Sequence, residues 1–273
     1  MTTLFGPRQA FLLGTALVLF LGLFVLLPLG MVVLSSVAQT WTMTVLPSAY
    51  TLRWYDAIGG AELDALTTSL VLALSAGGIA TALGTYAAYV IQRRRIPIPG
   101  VFDLLMMSPV ALPSVVIGLA LLLAFHRPPL ALTESPAAVF LAHLLIVLPF
   151  AFRTVSAVLH EIDPHLEEAA VGLGASDALA FFRIVLPLAL PGVASGFILS
   201  FCLSMGELGA TLMVYPPGFS TMTLTIYQLA TRGFYYQGAA VATVLLAVAF
   251  AALVLLSWMA ARTRRAARWS GHG

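Results

Sequence analysis

The chain has 273 residues, 60% of them hydrophobic and 9% charged, and its mean hydropathy is +1.01. Soluble domains carry about 25% charged residues, so the composition excludes a soluble globular protein and describes one that resides in a bilayer. The net charge is only +2 and every basic residue is an arginine; arginines beside membrane spans anchor to anionic headgroups, which leaves lipid rather than nucleic acid as the partner of that charge.

A crossing needs about 20 mostly apolar residues. Stretches of that kind centre on 11–37, 65–92, 104–125, 136–158, 188–213 and 238–261. The runs lack the period-two alternation of a barrel strand, and backbone in lipid must satisfy itself internally. The expected fold class is therefore all-α, a polytopic membrane protein with six transmembrane helices in one domain, 1–273. The first run follows Arg8, and Ser36-Val37-Ala38 has the small-x-small form of a cleavage site. A secretory signal has an apolar core of only about 7–15 residues, so Phe11 to Leu34 reads as a retained helix.

Arginine placement orients the spans. With the N-terminus inside, the inner side holds Arg8, Arg93, Arg94, Arg95, Arg153, Arg183, Arg262, Arg264, Arg265 and Arg268, and the outer side only Arg53, Arg127 and Arg232. Both termini are then cytoplasmic. After the first crossing, Thr51 to Ile58 forms a short interfacial helix or a loop, with Thr51 as cap, Leu52, Tyr55 and Ile58 on one face and Trp54 at headgroup level. Pro97, Pro99 and Gly100 make 93–100 a turn. The third crossing contains Pro109 and Pro113, which free backbone carbonyls and bend a helix; Pro113 and Ser114 are candidate pathway residues, an ordinary packed kink being the alternative. Cys202 is the sole cysteine, and His126, His143, His160, His165 and His272 show no ligand spacing for a metal. The tail after Arg262 reads as a short frayed end.

Between the fourth and fifth crossings a loop, 159–187, carries five of the eleven acidic residues, Glu161, Asp163, Glu167, Glu168 and Asp177. Pro164 is placed to start a helix, and Leu166, Ala169, Ala170 and Leu173 recur at helical spacing. Gly172 and Gly174 end that helix, and Ser176 or Asp177 caps the next. Small residues on the face permit close approach by a partner. The loop lacks the basic residues of a helix lying on the inner leaflet.

Glu168-Ala169-Ala170, then Gly174, then Ile184, Leu186 and Pro187 stand at fixed spacing, and this resembles the EAA loop of the membrane permeases of binding-protein-dependent ABC importers. The resemblance implies a type I ABC importer fold and a coupling helix docked on an ATPase subunit dimer, with Glu167, Glu168, Ala169, Ala170, Leu173, Gly174, Ile184, Leu186 and Pro187 as coupling residues. It also implies a second permease chain, identical or homologous, a periplasmic substrate-binding protein, and a place in the bacterial inner membrane. No phosphate-gripping Gly-x-x-x-x-Gly-Lys loop is present, since the chain has no lysine; no cofactor is expected here, and ATP and magnesium belong to the partner ATPase.

Glu207 is the one acid deep in an apolar stretch, about 28 Å from Leu188 along a helix. A mid-bilayer charge costs roughly 2.5–3.5 kcal/mol, so it is expected to face a cavity or the bundle interior as a gate, a structural polar group or a ligand contact. His143 is its expected partner, Gly206 and Gly209 permit close approach or unwinding, and Thr211 completes the segment. Ser204 to Thr211, Tyr215 to Thr221, Thr231 to Gly233, Gly238 to Ala240, Leu112 to Leu119 and Leu46 to Ser48 are similar to the 2-aminoethylphosphonate branch of these permeases, and the Gly206-Glu207 core is shared with molybdate-type permeases. The aromatic Gly233 to Gln237 departs from the branch. The implied cargo is 2-aminoethylphosphonate or a related phosphonate, with molybdate or sulfate, thiamine and iron(III) as alternatives. The crossings offer no mid-membrane basic residue for an anion, which fits selection by a separate binding protein. An intramembrane serine protease is disfavoured because Val193 stands where Ser195-Gly196 would need glycine. A secondary transporter would need repeated broken helices, and only the third crossing has that character.

Overall fold

The computed structural model describes residues 7–94, 98–129, 131–132 and 135–269. Arg95, Pro97 and His272 lie outside the described residues, as do the side chains of Arg262, Arg264, Arg265 and Arg268. The described residues are mainly helical, and their only strands form one two-stranded hairpin. Among the described residues, five helices are long and apolar enough to cross a membrane, and six spans result if one sharply bent helix pair counts as a single span.

Two compact units can be described, residues 1–62 with 225–245, and residues 63–224 with 246–273. In the first, α1 (Pro7–Ser36) is one continuous helix despite Pro28. It leads into strand β1 (Ala38–Thr40), paired antiparallel with β2 (Ala49–Tyr50). The predicted interfacial helix shortens to one turn, α2 (Arg53–Asp56). Leu52 holds its N-cap position, while the Thr51 hydroxyl accepts the Arg53 N–H at 3.2 Å. Trp54 is stacked on Tyr236 with ring centroids 5.9 Å apart, and its indole N–H donates to the Ala38 carbonyl at 2.8 Å.

The second unit is organised by α3 (Gly60–Arg93), a helix of 34 residues. The following helix α4 (Pro99–Met107) starts inside the predicted turn, because Pro99 at its first position needs no N–H partner there. The third crossing is not a single helix: α4 passes through a 3-10 turn, Ser108–Ala111, and α5 (Ser114–Ala124) leaves at an angle of 105°. Pro113 sits at the bend with extended backbone, as the missing N–H and ring clash of proline dictate. Next come α6 (Pro136–Glu161), α7 (His165–Gly172), α8 (Asp177–Ala180), a π turn at Phe181–Val185 and α9 (Leu186–Met205). The π turn precedes Pro187, which offers no N–H to the preceding turn; the Leu186 N–H reaches back to the Phe181 carbonyl instead.

The predicted fifth crossing ends early. Helix α9 stops at Met205, and after a break at 206–208 the chain resumes as α10 (Gly209–Val214), then α11 (Met222–Thr231) and α12 (Tyr235–Trp269). The end predicted to fray after Arg262 is helical to Trp269.

Backbones approach closely where glycines permit. A Cβ on Gly84 of α3 would lie 2.7 Å from the Phe152 nitrogen of α6, and one on Gly118 of α5 would lie 2.7 Å from the Ala210 carbonyl oxygen of α10. Apolar clusters fill the rest. Leu72, Ile117, Leu121, Val139, Ala210 and Val214 form one, and Tyr89, Phe152, Val155, Leu159, Val185 and Ala189 another.

Candidate functional site

The loop between α6 and α9 folds on its own capping chemistry. Pro164 precedes α7, whose last turn bonds the Leu173 N–H to the Ala169 and Ala170 carbonyls. The chain then reverses at Gly174, where φ is +96°, a left-handed conformation open to glycine and strained for residues with a Cβ. The Ser176 hydroxyl accepts the Leu179 N–H at 3.3 Å and starts α8, as N-cap serines do. The backbone continues through Ile184, half-buried, to Leu186 and Pro187 in the first turn of α9.

Glu167 and Glu168, adjacent in sequence, face opposite ways. The Glu167 side chain is 12% exposed and that of Glu168 71% exposed. Glu167 accepts a short hydrogen bond from the Tyr89 hydroxyl of α3. Arg94 donates to that same hydroxyl at 2.8 Å and pairs with Asp177 at 3.1 Å, with Glu167 at 3.8 Å. Next to it Arg93 donates to the Ile162 carbonyl at 2.6 Å and the Leu159 carbonyl at 3.2 Å, satisfying acceptors at the C-terminal end of α6. Gln92 donates to the Ser156 carbonyl at 2.8 Å. The resemblance named Glu167 only as a coupling residue; its partner Tyr89 lies 78 positions away in the chain, and only the turn predicted at the arginine run hinted at the contact.

The outward face carries Glu168, Ala169, Val171 and Leu173, the last 90% exposed. His165 stands 3.0 Å from the Glu168 carboxylate. That hydrogen bond, followed by the charges of Asp163 and Glu168, raises the His165 pKa above the ordinary imidazole value. Because the folded value lies above the unfolded one, the pairing supports the loop below the unfolded pKa and fades as pH rises through the folded pKa. An exposed pair of this kind contributes little stability, so the readout is titration itself. In Glu168→Gln the His165 ring resonance, followed by NMR against pH, is expected to titrate closer to the ordinary value. An unmoved midpoint would show that the pair does not form.

The second polar group is the break after α9. Glu207 is half-buried; its carboxylate accepts the Ala210 N–H at 2.8 Å, which places the negative charge at the start of α10 where the helix dipole favours it. Its backbone carbonyl accepts the Thr223 hydroxyl at 2.9 Å. The expected pairing of Glu207 with His143 is not formed. Buried His143 instead bonds Ser204 at 2.7 Å through Nδ1 and Thr211 at 3.0 Å through Nε2, one hydroxyl on each side of the break. The imidazole, which has two nitrogens to satisfy, ties the last turn of α9 to the first turn of α10, while the carboxylate is satisfied locally.

Of the two glycines flanking Glu207, only Gly209 marks a close approach. A Cβ there would lie 2.3 Å from the Ser114 hydroxyl oxygen, whereas Gly206 is exposed and meets nothing closer than 3.8 Å. The structure thus brings Ser114, Gly209, Thr211 and His143 into one packed region; Pro113 is exposed at the bend beside it.

A helical bundle of membrane spans, with a folded loop protruding between two of them and a polar break within another, has the build of a membrane transport permease. Residues 80–268 match the family described as binding-protein-dependent transport system inner membrane component, and the chain belongs to that family. It is 37% identical over 257 residues, 94% of each chain, to the putative 2-aminoethylphosphonate transport system permease protein PhnV of Salmonella choleraesuis. It is 31% identical over 230 residues, 82% of each chain, to the putrescine transport system permease protein PotI of Escherichia coli. A chain of a bacterial ABC transporter involved in the import of the acidic polysaccharide alginate superposes with TM-score 0.74 at 17% identity, covering 93% of this chain and 96% of that one. The fold is that of ABC importer permeases.

Proposed function

We propose that this permease forms half of a translocation path for 2-aminoethylphosphonate or a related phosphonate delivered by a periplasmic binding protein. The observation that carries the reading is the 37% identity to the putative 2-aminoethylphosphonate permease over 94% of both chains. The arginine distribution puts the α7–α8 loop and both termini on the cytoplasmic side. There α7 docks on an ATPase subunit, which binds ATP and magnesium, so that closure of the ATPase dimer moves the loop as a rigid body. One chain supplies too few spans to enclose a path, so the pore lies between two permease chains, identical or homologous. The sequence places no arginine or lysine in mid-membrane for a phosphonate, which supports leaving ligand selection to the binding protein.

The test is ligand binding by the cognate binding protein, followed by uptake in proteoliposomes holding the full transporter. Saturable binding and ATP-dependent uptake of 2-aminoethylphosphonate are expected, with putrescine failing to compete. Retention of putrescine in its place would assign the permease to polyamine import.

A further inference from the structure

The loop between α6 and α9 and the break at Glu207 lie far apart along the spans, yet α3 is hydrogen-bonded to the surroundings of both. At its C-terminal end, the Tyr89 hydroxyl donates to Glu167 on α7, and Arg94, just past the helix, joins Tyr89, Glu167 and Asp177. Arg94 therefore holds the segments on both sides of the Gly174 reversal. Twenty residues earlier, about 30 Å along the helix, the buried Ser69 hydroxyl accepts the Met222 N–H at 2.9 Å. The next residue, Thr223, donates to the Glu207 backbone carbonyl at 2.9 Å.

Between these two attachments α3 is an uninterrupted helix without proline. It packs through glycines, at Gly84 against Phe152 of α6 and at Gly77 against Phe201 of α9, where a Cβ would lie 2.7 Å and 3.3 Å from the neighbouring backbone nitrogens. Backbone packed this tightly leaves little slack. A helix fixed at both ends and closely packed along its length moves as a unit, the condition for transmitting a displacement between sites.

We propose that α3 is the relay between the coupling loop and the Glu207 break, with Tyr89 and Arg94 as its attachment on the loop side and Ser69 as its attachment on the break side. These are positioning residues, which touch neither ATP nor cargo. The proposal rests on the reading that α7 docks the ATPase, and it adds where the motion goes next. Displacement of α7 pulls Glu167, which is bonded to Tyr89. Helix α3 shifts, and Ser69 carries Met222 and Thr223 with it, so the carbonyl of Glu207 is moved from outside the break.

The experiment uses the complete transporter in proteoliposomes with its loaded binding protein, and reads solute transported per ATP hydrolysed. Tyr89→Phe and Ser69→Ala are each expected to lower that ratio about fivefold or more, the lower end of typical coupling between sites. Stimulated ATP hydrolysis and ATPase co-purification should persist. Because the two attachments act in series, the double variant is expected to match the weaker single variant. Ser69→Thr, which keeps the hydroxyl, should retain most of the ratio, and unchanged membrane level and ATPase co-purification in Tyr89→Phe separate a relay from a folding defect. A wild-type ratio in either single variant, or a double-variant loss equal to the product of the two singles, overturns the relay. Failure of the docking reading has a different signature: Glu168→Arg would then retain both co-purification and uptake.

Discussion

Gly118→Val is expected to abolish uptake while leaving the chain in the membrane. A Cβ at this position would lie 2.7 Å from the Ala210 carbonyl oxygen, 2.8 Å from the Ala210 Cα and 2.9 Å from the Met213 Cβ. The first two are backbone atoms, which cannot rotate away as the tip of a side chain would. The obstruction is reinforced from the other helix, since Gly209 of α10 rests against Ser114 and Val115 of α5 in the same manner. Overpacking a filled interior costs about 1–3 kcal/mol and occasionally more, and valine adds two methyl groups beyond the Cβ. Helices α5 and α10 must then separate, taking Thr211 away from His143 and opening the tie across the break. The measurements are the thermal midpoint of the purified permease complex, expected to fall by about 5 °C or more, and uptake in proteoliposomes. Gly14→Val in α1, where a Cβ meets nothing within 4 Å, is the matched control and should leave both unchanged. Normal transport by Gly118→Val would mean that α5 and α10 do not pack as described.

The second large effect is expected in the loop. Gly174→Asp places a Cβ on backbone at φ +96°, beyond the left-handed well near φ of about +57° that aspartate can occupy, so the strain falls on the reversal itself. The reversal between α7 and α8 relaxes, and Leu173 shifts from the tip. Glu168→Arg leaves the backbone alone and reverses charge on the outward face. Both variants should insert and accumulate normally, because their side chains are exposed and outside the clusters that hold the bundle. Both should lose more than about tenfold in uptake if docking weakens by 1.4 kcal/mol or more. Membrane level by immunoblot and co-purification with the ATPase separate the two causes, and full uptake by both variants would exclude α7 as the docking element.

Much of this molecule can be read from its residue order, for reasons that differ from part to part. The crossings are legible because lipid imposes one requirement on twenty consecutive residues, and α1, α3 and α6 lie where the apolar runs place them. The α7–α8 loop is legible because its signals are local: Pro164 before the helix, Gly174 at the reversal, Ser176 at the next N-cap. What stayed hidden was decided across the chain. Pro113 announced a bend, but its 105° turn goes with α5 packing on α10 through Gly118, a contact 92 positions distant by residue number. The fifth crossing read as continuous to 213 because Gly206, Glu207 and Gly209 interrupt hydropathy for only four residues. His143 and Glu207 looked like partners on charge alone, whereas each found hydrogen bonds closer at hand. The orientation of Glu167 was equally invisible, since a short helix presents whichever face its neighbours bind, and those neighbours, Tyr89 and Arg94, belong to another span.

Glu167 and Glu168 form one acidic pair on paper and two separate contracts in space. Glu167 is fixed by residues of its own chain, so substitutions there must be matched within this gene, at Tyr89 or Arg94. Glu168, with Leu173 beside it on the outward face, answers to whatever surface meets the loop. Grafting this loop onto another permease would therefore succeed only if the acceptor already carried the inner partners of Glu167, Tyr89 and Arg94.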